Sequence, residues 1–280
     1  MSQPISADLV GFSTDPVEIS WSEKDVLLYA LSVGCKPDAE LDFVYEARGP
    51  KVLPTFSVIP GLNLMGSVMA QVQFNLAMLL HGEQKITLHR AIPASGKATG
   101  VGKIVEVWDK GKAAVIAVEC AASDAEGPLF TTHATLYIRG AGGFGGERGP
   151  GREMKNIPDR GPDYLVEDVT RAEQAALYRL TGDRNPIHID PNFAKFGGFD
   201  KPFLHGLCTY GFAGRAALSA LCGGDPSRFQ SMSGRFSDQV YMGDEIITKI
   251  WKLTQGSALM QVETQRGNVV LSQCEVAFLE

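Results

Sequence analysis

The chain has 280 residues, about twice a minimal domain, so two folded units are expected. Hydrophobic residues at 44% and charged residues at 21% stand near globular averages, which excludes a disordered chain or a coiled coil. Lys plus Arg total 26 against 32 Asp plus Glu, and the net charge of −6 argues against nucleic acid or an anionic membrane as a partner.

The opening stretch MSQPISADLVGFSTDPVE lacks a basic segment followed by an apolar one, and no apolar run nears the roughly 20 residues that cross a bilayer. The closing AFLE is unlike an S-K-L type of peroxisomal address, so a free-standing cytoplasmic protein is expected. Cys35, Cys120, Cys208, Cys222 and Cys274 are scattered and form no C-x-x-C pair. They fit a reducing compartment and point away from a zinc site or a disulfide framework.

In chain order, the first predicted element is a helix over residues 22–34 (SEKDVLLYALSVG), opened by Ser22 and with Asp25, Leu28, Tyr29 and Leu31 on a helical period. Residues 54–70 (PTFSVIPGLNLMGSVMA) are interrupted by Pro60, Gly61 and Gly66, and no helix is expected there. Strands are expected over residues 104–108 (IVEVW), 113–119 (AAVIAVE) and 131–138, the first two joined by a glycine-bearing turn. Residues 140–162 hold eight Gly and three Pro and read as a connection.

The series then repeats. Residues 170–183 (TRAEQAALYRLTGD) resemble the first helix, with Ala175, Leu177, Tyr178 and Leu180 placed alike, and the new helix is expected to begin near Thr170. Residues 205–222 (HGLCTYGFAGRAALSALC) take the place of 54–70, but Arg215 is their only ionised side chain, the mark of a buried helix. Residues 247–251 (ITKIW), 258–263 (ALMQVE) and 269–279 repeat the strands. One fold is thus used twice: an amino-terminal half (1–140), a linker (141–162) and a carboxy-terminal half (163–280).

Two motifs fail on context. Gly140 to Gly145 satisfies G-x-G-x-x-G, but no helix pattern follows to hold a pyrophosphate. Asp183-x-Asn185 starts like a calcium loop, yet Ile187 occupies the third ligand position. Neither G-x-S-x-G nor a P-loop occurs.

The informative stretch is LTGDRNPIHIDPNF, residues 180–193. Its Gly, Asn, Asp and Pro residues end the preceding helix, so Asp183 and His188 sit on irregular backbone from which side chains can be aimed into a cleft. A second irregular segment, DKPFLHG at 200–206, leads into the buried helix, whose first N–H groups lack internal partners and carry partial positive charge. Gly206 lets a substrate approach that backbone. A carboxylate and an imidazole facing a buried helix start make an acid/base pair beside an oxyanion site.

The run YRLTGDRNPIHIDPNFAKFGGFDKPFLHGLCTYGF, at 178–212, closely resembles the signature of the (R)-specific 2-enoyl-CoA hydratases, the hydratase 2 branch of the MaoC-like proteins. It looks most like the hydratase portions of the peroxisomal multifunctional β-oxidation enzymes. LPTF, LLHGEQ, WDKGKAAVI, GGFGG and RFSDQVYMGD extend the likeness through most of the chain.

The resemblance implies an α+β double hot-dog fold, each half an antiparallel sheet wrapped around a helix, with the amino-terminal helix degraded to admit bulky acyl chains. It implies reversible hydration of trans-2-enoyl-CoA to (3R)-3-hydroxyacyl-CoA. By motif position, Asp183 and His188 match the pair that holds the catalytic water, Asn185 their supporting residue, and Gly206 the N–H donor to the thioester oxygen. His81, Gly82, Lys110 and Phe236 match positions lining the acyl-CoA site. No metal or separate cofactor is implied, CoA being part of the substrate, and a homodimer is expected. A hot-dog acyl-CoA thioesterase and a noncatalytic acyl-CoA-binding subunit of a hydratase complex are the alternatives. At the turn matching Asp183 the first half carries Gly34, Cys35, Lys36 and Pro37, so one active site per chain is expected.

Overall fold

The structure is a computed structural model that describes residues 2–151 and 154–280. Its framework is ten antiparallel strands: β1 (Val17–Trp21), β2 (Leu79–Leu88), β3 (Gly96–Asp109), β4 (Ala113–Asp124), β5 (Gly127–Arg139), β6 (Tyr164–Val169), β7 (Phe229–Phe236), β8 (Glu245–Thr254), β9 (Ser257–Thr264) and β10 (Val269–Phe278). They join into one sheet of order β1-β3-β4-β5-β2-β7-β10-β9-β8-β6. Each half runs first, third, fourth, fifth, second strand from its outer edge inward, so the second half reverses the first about the β2–β7 seam. The repeat read in the sequence is therefore a repeat of topology. At the seam Ile86 pairs with Met232 and Glu83 with Arg235, whose carboxylate and guanidinium also bond.

The helices are α1 (Glu23–Ser32), α2 (Leu41–Val44), α3 (Val58–Met69), α4 (Gln174–Tyr178), α5 (Pro191–Phe196) and α6 (Gly206–Cys222). α3 packs against β1, β3, β4 and β5, and α6 against β6, β7, β8 and β10, one central helix per half. All but three of the 17 residues of α6 are buried, as a helix apolar all round must be, and Gly223 ends it at φ +61°. α1 is opened by Ser22, whose N–H donates to the Asp25 carboxylate at 2.8 Å. The turn between β3 and β4 reverses through Gly111 at φ +80°, with the Asp109 carboxylate accepting the Gly111 N–H at 2.8 Å.

Two expectations are corrected. Residues 54–70 do form a helix: a 3-10 turn over Pro54–Ser57 runs into α3, 12 residues long against 17 for α6. Pro60 falls in the first turn of α3, where a missing N–H costs little, and Gly61 lets the helix lie against Thr132. The first-half helix is shortened, not lost. The second-half helix begins at Gln174 rather than near Thr170, because the Thr170 hydroxyl bonds the Tyr241 and Asp244 carbonyls instead of starting a turn. Between β5 and β6 the described residues form neither helix nor strand, and Arg152 and Glu153 of the expected linker lie outside them. Among the described residues no helix is long and apolar enough to cross a membrane.

Candidate active site

A cavity of about 1620 Å³ opens between the halves. Its walls include Leu62, Met65 and Gly66 of α3, the start of β2, the β3–β4 turn, residues 182–188, the first turn of α6, and the end of β7. Asp183, Asn185, His188, Gly206, His81, Gly82, Lys110 and Phe236 all line it.

The chain after α4 is shaped by two consecutive side-chain caps. Gly182, at φ +148°, takes the backbone out of the 3-10 turn that follows α4. Asp183 Oδ1 then accepts the Asn185 N–H at 3.1 Å, and Asn185 Oδ1 accepts the Ile187 N–H at 3.2 Å. With Pro186 in first position, that cap winds a single 3-10 turn, Pro186–His188. Asp190 and Pro191 repeat the device, the carboxylate accepting the Asn192 N–H at 2.8 Å to start α5. Asn185 therefore bears on His188 by holding the turn that carries it.

His188 is buried, with its Nδ1 2.9 Å from the Phe203 carbonyl and the Phe203 ring edge-on at 5.0 Å. A carbonyl only accepts, so the Nδ1 carries the proton and Nε2 keeps a lone pair. Burial holds the His188 pKa below its ordinary value against the pull of the Asp183 charge and the Phe203 carbonyl, which favours the neutral ring. Asp183 is half-buried beside it. His205 completes the cluster: its ring lies over His188 at 3.9 Å between centroids, with planes 33° apart. One ligating atom from each of Asp183, His188 and His205 lies within 4.8 Å of the others, so these side chains could also meet a cation.

Gly206 is the first residue of α6, and a Cβ there would come within 3.1 Å of the Phe236 ring. Phe236 in turn meets His81 edge-on at 5.1 Å. Desolvation pushes His81 down to about 4, outweighing hydrogen bonding with Glu83 and Gln84. Lys110, on the far rim, donates to the Arg148 carbonyl. The loop with the glycine motif turns its amides onto a carboxylate of the chain itself. Its Gly143 and Gly145 N–H groups, at 2.8 and 2.9 Å, converge with that of Gly111 on the Asp109 carboxylate, and these bonds hold its pKa down.

Two features of the site escaped the sequence reading. His205 stood in view as the residue before Gly206, but nothing in HGLC shows that its ring reaches His188. The Glu83–Arg235 pair depends on β2 and β7 being neighbours, which only topology supplies.

Residues 19–140 match the family model described as the MFE-2 hydratase 2 N-terminal domain, and residues 153–273 match the MaoC-like domain. The chain is 42% identical to a Dictyostelium discoideum protein named "Probable enoyl-CoA hydratase 2", over 97% of this chain and 95% of that one. It belongs to the MaoC-like hydratase 2 family. A crystal structure of a MaoC-like dehydratase from Phytophthora capsici superimposes with a TM-score of 0.88 at 32% identity, covering 99% of this chain and 98% of that one. A Mycobacterium tuberculosis protein described as having a double hotdog fold aligns at a TM-score of 0.62 and 12% identity, covering 96% of each chain. The hydratase 2 chain described here thus has the double hot-dog architecture, with α3 and α6 as its two central helices.

Proposed function

We infer that the chain hydrates trans-2-enoyl-CoA reversibly to (3R)-3-hydroxyacyl-CoA, as a hydro-lyase of β-oxidation. The observation that carries the reading is the meeting of the Asp183 carboxylate, the bare Nε2 of a neutral His188 and the N-terminus of α6 in one cavity. A water bonded at about 2.8 Å to two groups, near the tetrahedral angle, needs them about 4.6 Å apart. Asp183 and His188 each bring a ligating atom within 4.8 Å of the other, which leaves room for that clamp.

In the proposed step, water held by Asp183 and His188 attacks Cβ of the enoyl thioester. His188 Nε2 takes the proton as the C–O bond forms. The π electrons move through Cα to the thioester oxygen, where the Gly206 N–H and the start of α6 stabilise the enolate, and the proton is returned to Cα. Only proton transfer and charge stabilisation are required, so the proposal includes neither a metal nor a redox cofactor. Leu62, Met65, Met69 and Leu79 offer the apolar wall for the acyl chain, and Lys110 a cation at the rim for CoA. The five free, buried thiols suit a reducing compartment such as the cytoplasm.

The test follows the absorbance of a trans-2-enoyl-CoA with wild type, Asp183→Asn and His188→Ala, and determines the product configuration. Loss of about 100-fold or more in kcat is expected for each variant. Unchanged turnover in both, or an (S) product, would refute the reading.

A further inference from the structure

His205 lies within the site, yet the step just described uses neither of its nitrogens. The ring is fully buried between two others, His188 at 3.9 Å and Tyr178 of α4 at 4.9 Å between centroids. Its Nε2 stands 3.2 Å from the main-chain carbonyl of Asp183. That carbonyl can only accept, so the proton is on Nε2 and Nδ1 is a bare acceptor. Nδ1 is buried without a partner among the described residues. A ring kept only to fill this space would be better served by phenylalanine, which has no buried acceptor to leave unsatisfied. What the imidazole adds is the single donor aimed at Asp183.

We propose that His205 is a positioning residue: by bonding the Asp183 main chain while stacking on His188, it sets the spacing of the two groups that hold the water. The stacked rings then carry opposite tautomers, Nδ1–H in His188 and Nε2–H in His205. His205 does not replace His188 as base, because its Nε2 already carries the proton and its bare Nδ1 is buried away from solvent. Desolvation, reinforced by His188, pushes its pKa down to about 2 and keeps it neutral at working pH. A displacement near 1 Å between positioned groups is enough to cost orders of magnitude in rate, so a donor well away from the reacting atoms acts through geometry alone.

The functional half of this assignment rests on the hydration reading; the tautomer half does not. Nitrogen-15 histidine spectra of the wild type at pH 7, assigned with His188→Phe and His205→Phe, should show two neutral rings of opposite tautomer. A charged His205, or one protonated at Nδ1, would overturn the proposal whatever the activity. In turnover, His205→Phe keeps the stack and loses the donor, so kcat should fall at least 10-fold with KM within twofold. His205→Gln, whose amide can donate from the position of Nε2, should recover most of that loss. A Phe variant as fast as wild type, or a Gln variant no better than Phe, would sink the role of the donor. A wild type that hydrates no enoyl-CoA but shows the opposite tautomers would refute the hydration reading alone.

Discussion

Arg215 and Asp168 are joined at 2.5 Å where only 7% and 6% of their surfaces remain exposed. The same guanidinium takes the Glu40 carboxylate at 2.8 Å and the Val33 carbonyl at 3.2 Å, and Lys36 reaches Asp168 at 3.2 Å. Arg215 belongs to α6, while Val33, Lys36 and Glu40 follow α1, so one buried cation ties the carboxy-terminal helix to the amino-terminal half. Arg215→Met removes the charge and leaves two carboxylates facing each other with Lys36 alone to answer them. The expected loss is about 3–5 kcal/mol of unfolding free energy. Urea denaturation measures it, and a loss under about 1 kcal/mol would show that the network is not what holds the halves in register.

The pH dependence of stability has a definite sign. His205 is pushed down to about 2 in the folded state, and His188 is also lowered, both chiefly by desolvation. An unfolded imidazole takes up a proton below about pH 6.5. The folded chain refuses it, so stability is intact above that pH and falls as pH drops, by about 1.4 kcal/mol per unit for each such group. Between pH 7 and 5 the wild type should lose about 2 kcal/mol more than His205→Phe, in urea titrations at the two values. In the activity, the acidic limb of kcat/KM should lie below the ordinary imidazole range, since the base form of His188 persists there. A limb at or above pH 6.5 would contradict the buried, neutral ring.

Asp109 does not itself line the cavity, yet it sets the far rim. Its carboxylate gathers the Gly111, Gly143 and Gly145 N–H groups at 2.8, 2.8 and 2.9 Å, fixing the glycine-rich loop to the β3–β4 turn beside Lys110. Pro150 and Gly151, farther along the same loop, line the cavity. Asp109→Ala should therefore raise KM for CoA thioesters about fivefold or more while kcat stays within twofold, because the acid/base cluster stands on other elements. Steady-state kinetics decides it; an equal fall in kcat at constant KM would place Asp109 in the chemistry instead.

Much of this was legible in the chain itself because the repeat and the D-x-N-P-x-H segment are local signals. Asn185 and Asp190 cap their turns through bonds that reach two or three residues, each with a proline in first position, so the irregular backbone that carries Asp183 and His188 follows from neighbours alone. The strands 104–108, 113–119 and 131–138 show alternation or continuous apolar runs and fall within β3, β4 and β5. By contrast, β2 reads LLHGEQKITL and β7 FQSMSGRF, with glycines and charges that hide the period, and their pairing across the seam is a long-range fact. The helix at 54–70 was masked for a different reason. Pro60, Gly61 and Gly66 count against a helix by intrinsic propensity, but one sits in the first turn and another is demanded by packing, and tertiary contact overrides the weak local preference.

Those two glycines of α3 separate fold from specificity. A Cβ at Gly61 would meet the Thr132 hydroxyl at 2.7 Å, whereas one at Gly66 would meet nothing within 4 Å, because Gly66 faces the cavity. Gly61→Val should therefore destabilise the chain, by about 1–3 kcal/mol for overpacking. Gly66→Phe should fold with unchanged or slightly higher stability, since a helical glycine costs up to about 1 kcal/mol. Its ring, however, would occupy space beside Leu62 and Met69, the wall proposed above for the acyl chain. The expected result is a fall of at least 10-fold in kcat/KM for long or branched enoyl-CoA with the four-carbon substrate within twofold, read from a panel of CoA esters. Equal losses across the panel would mean that α3 does not bound the acyl pocket.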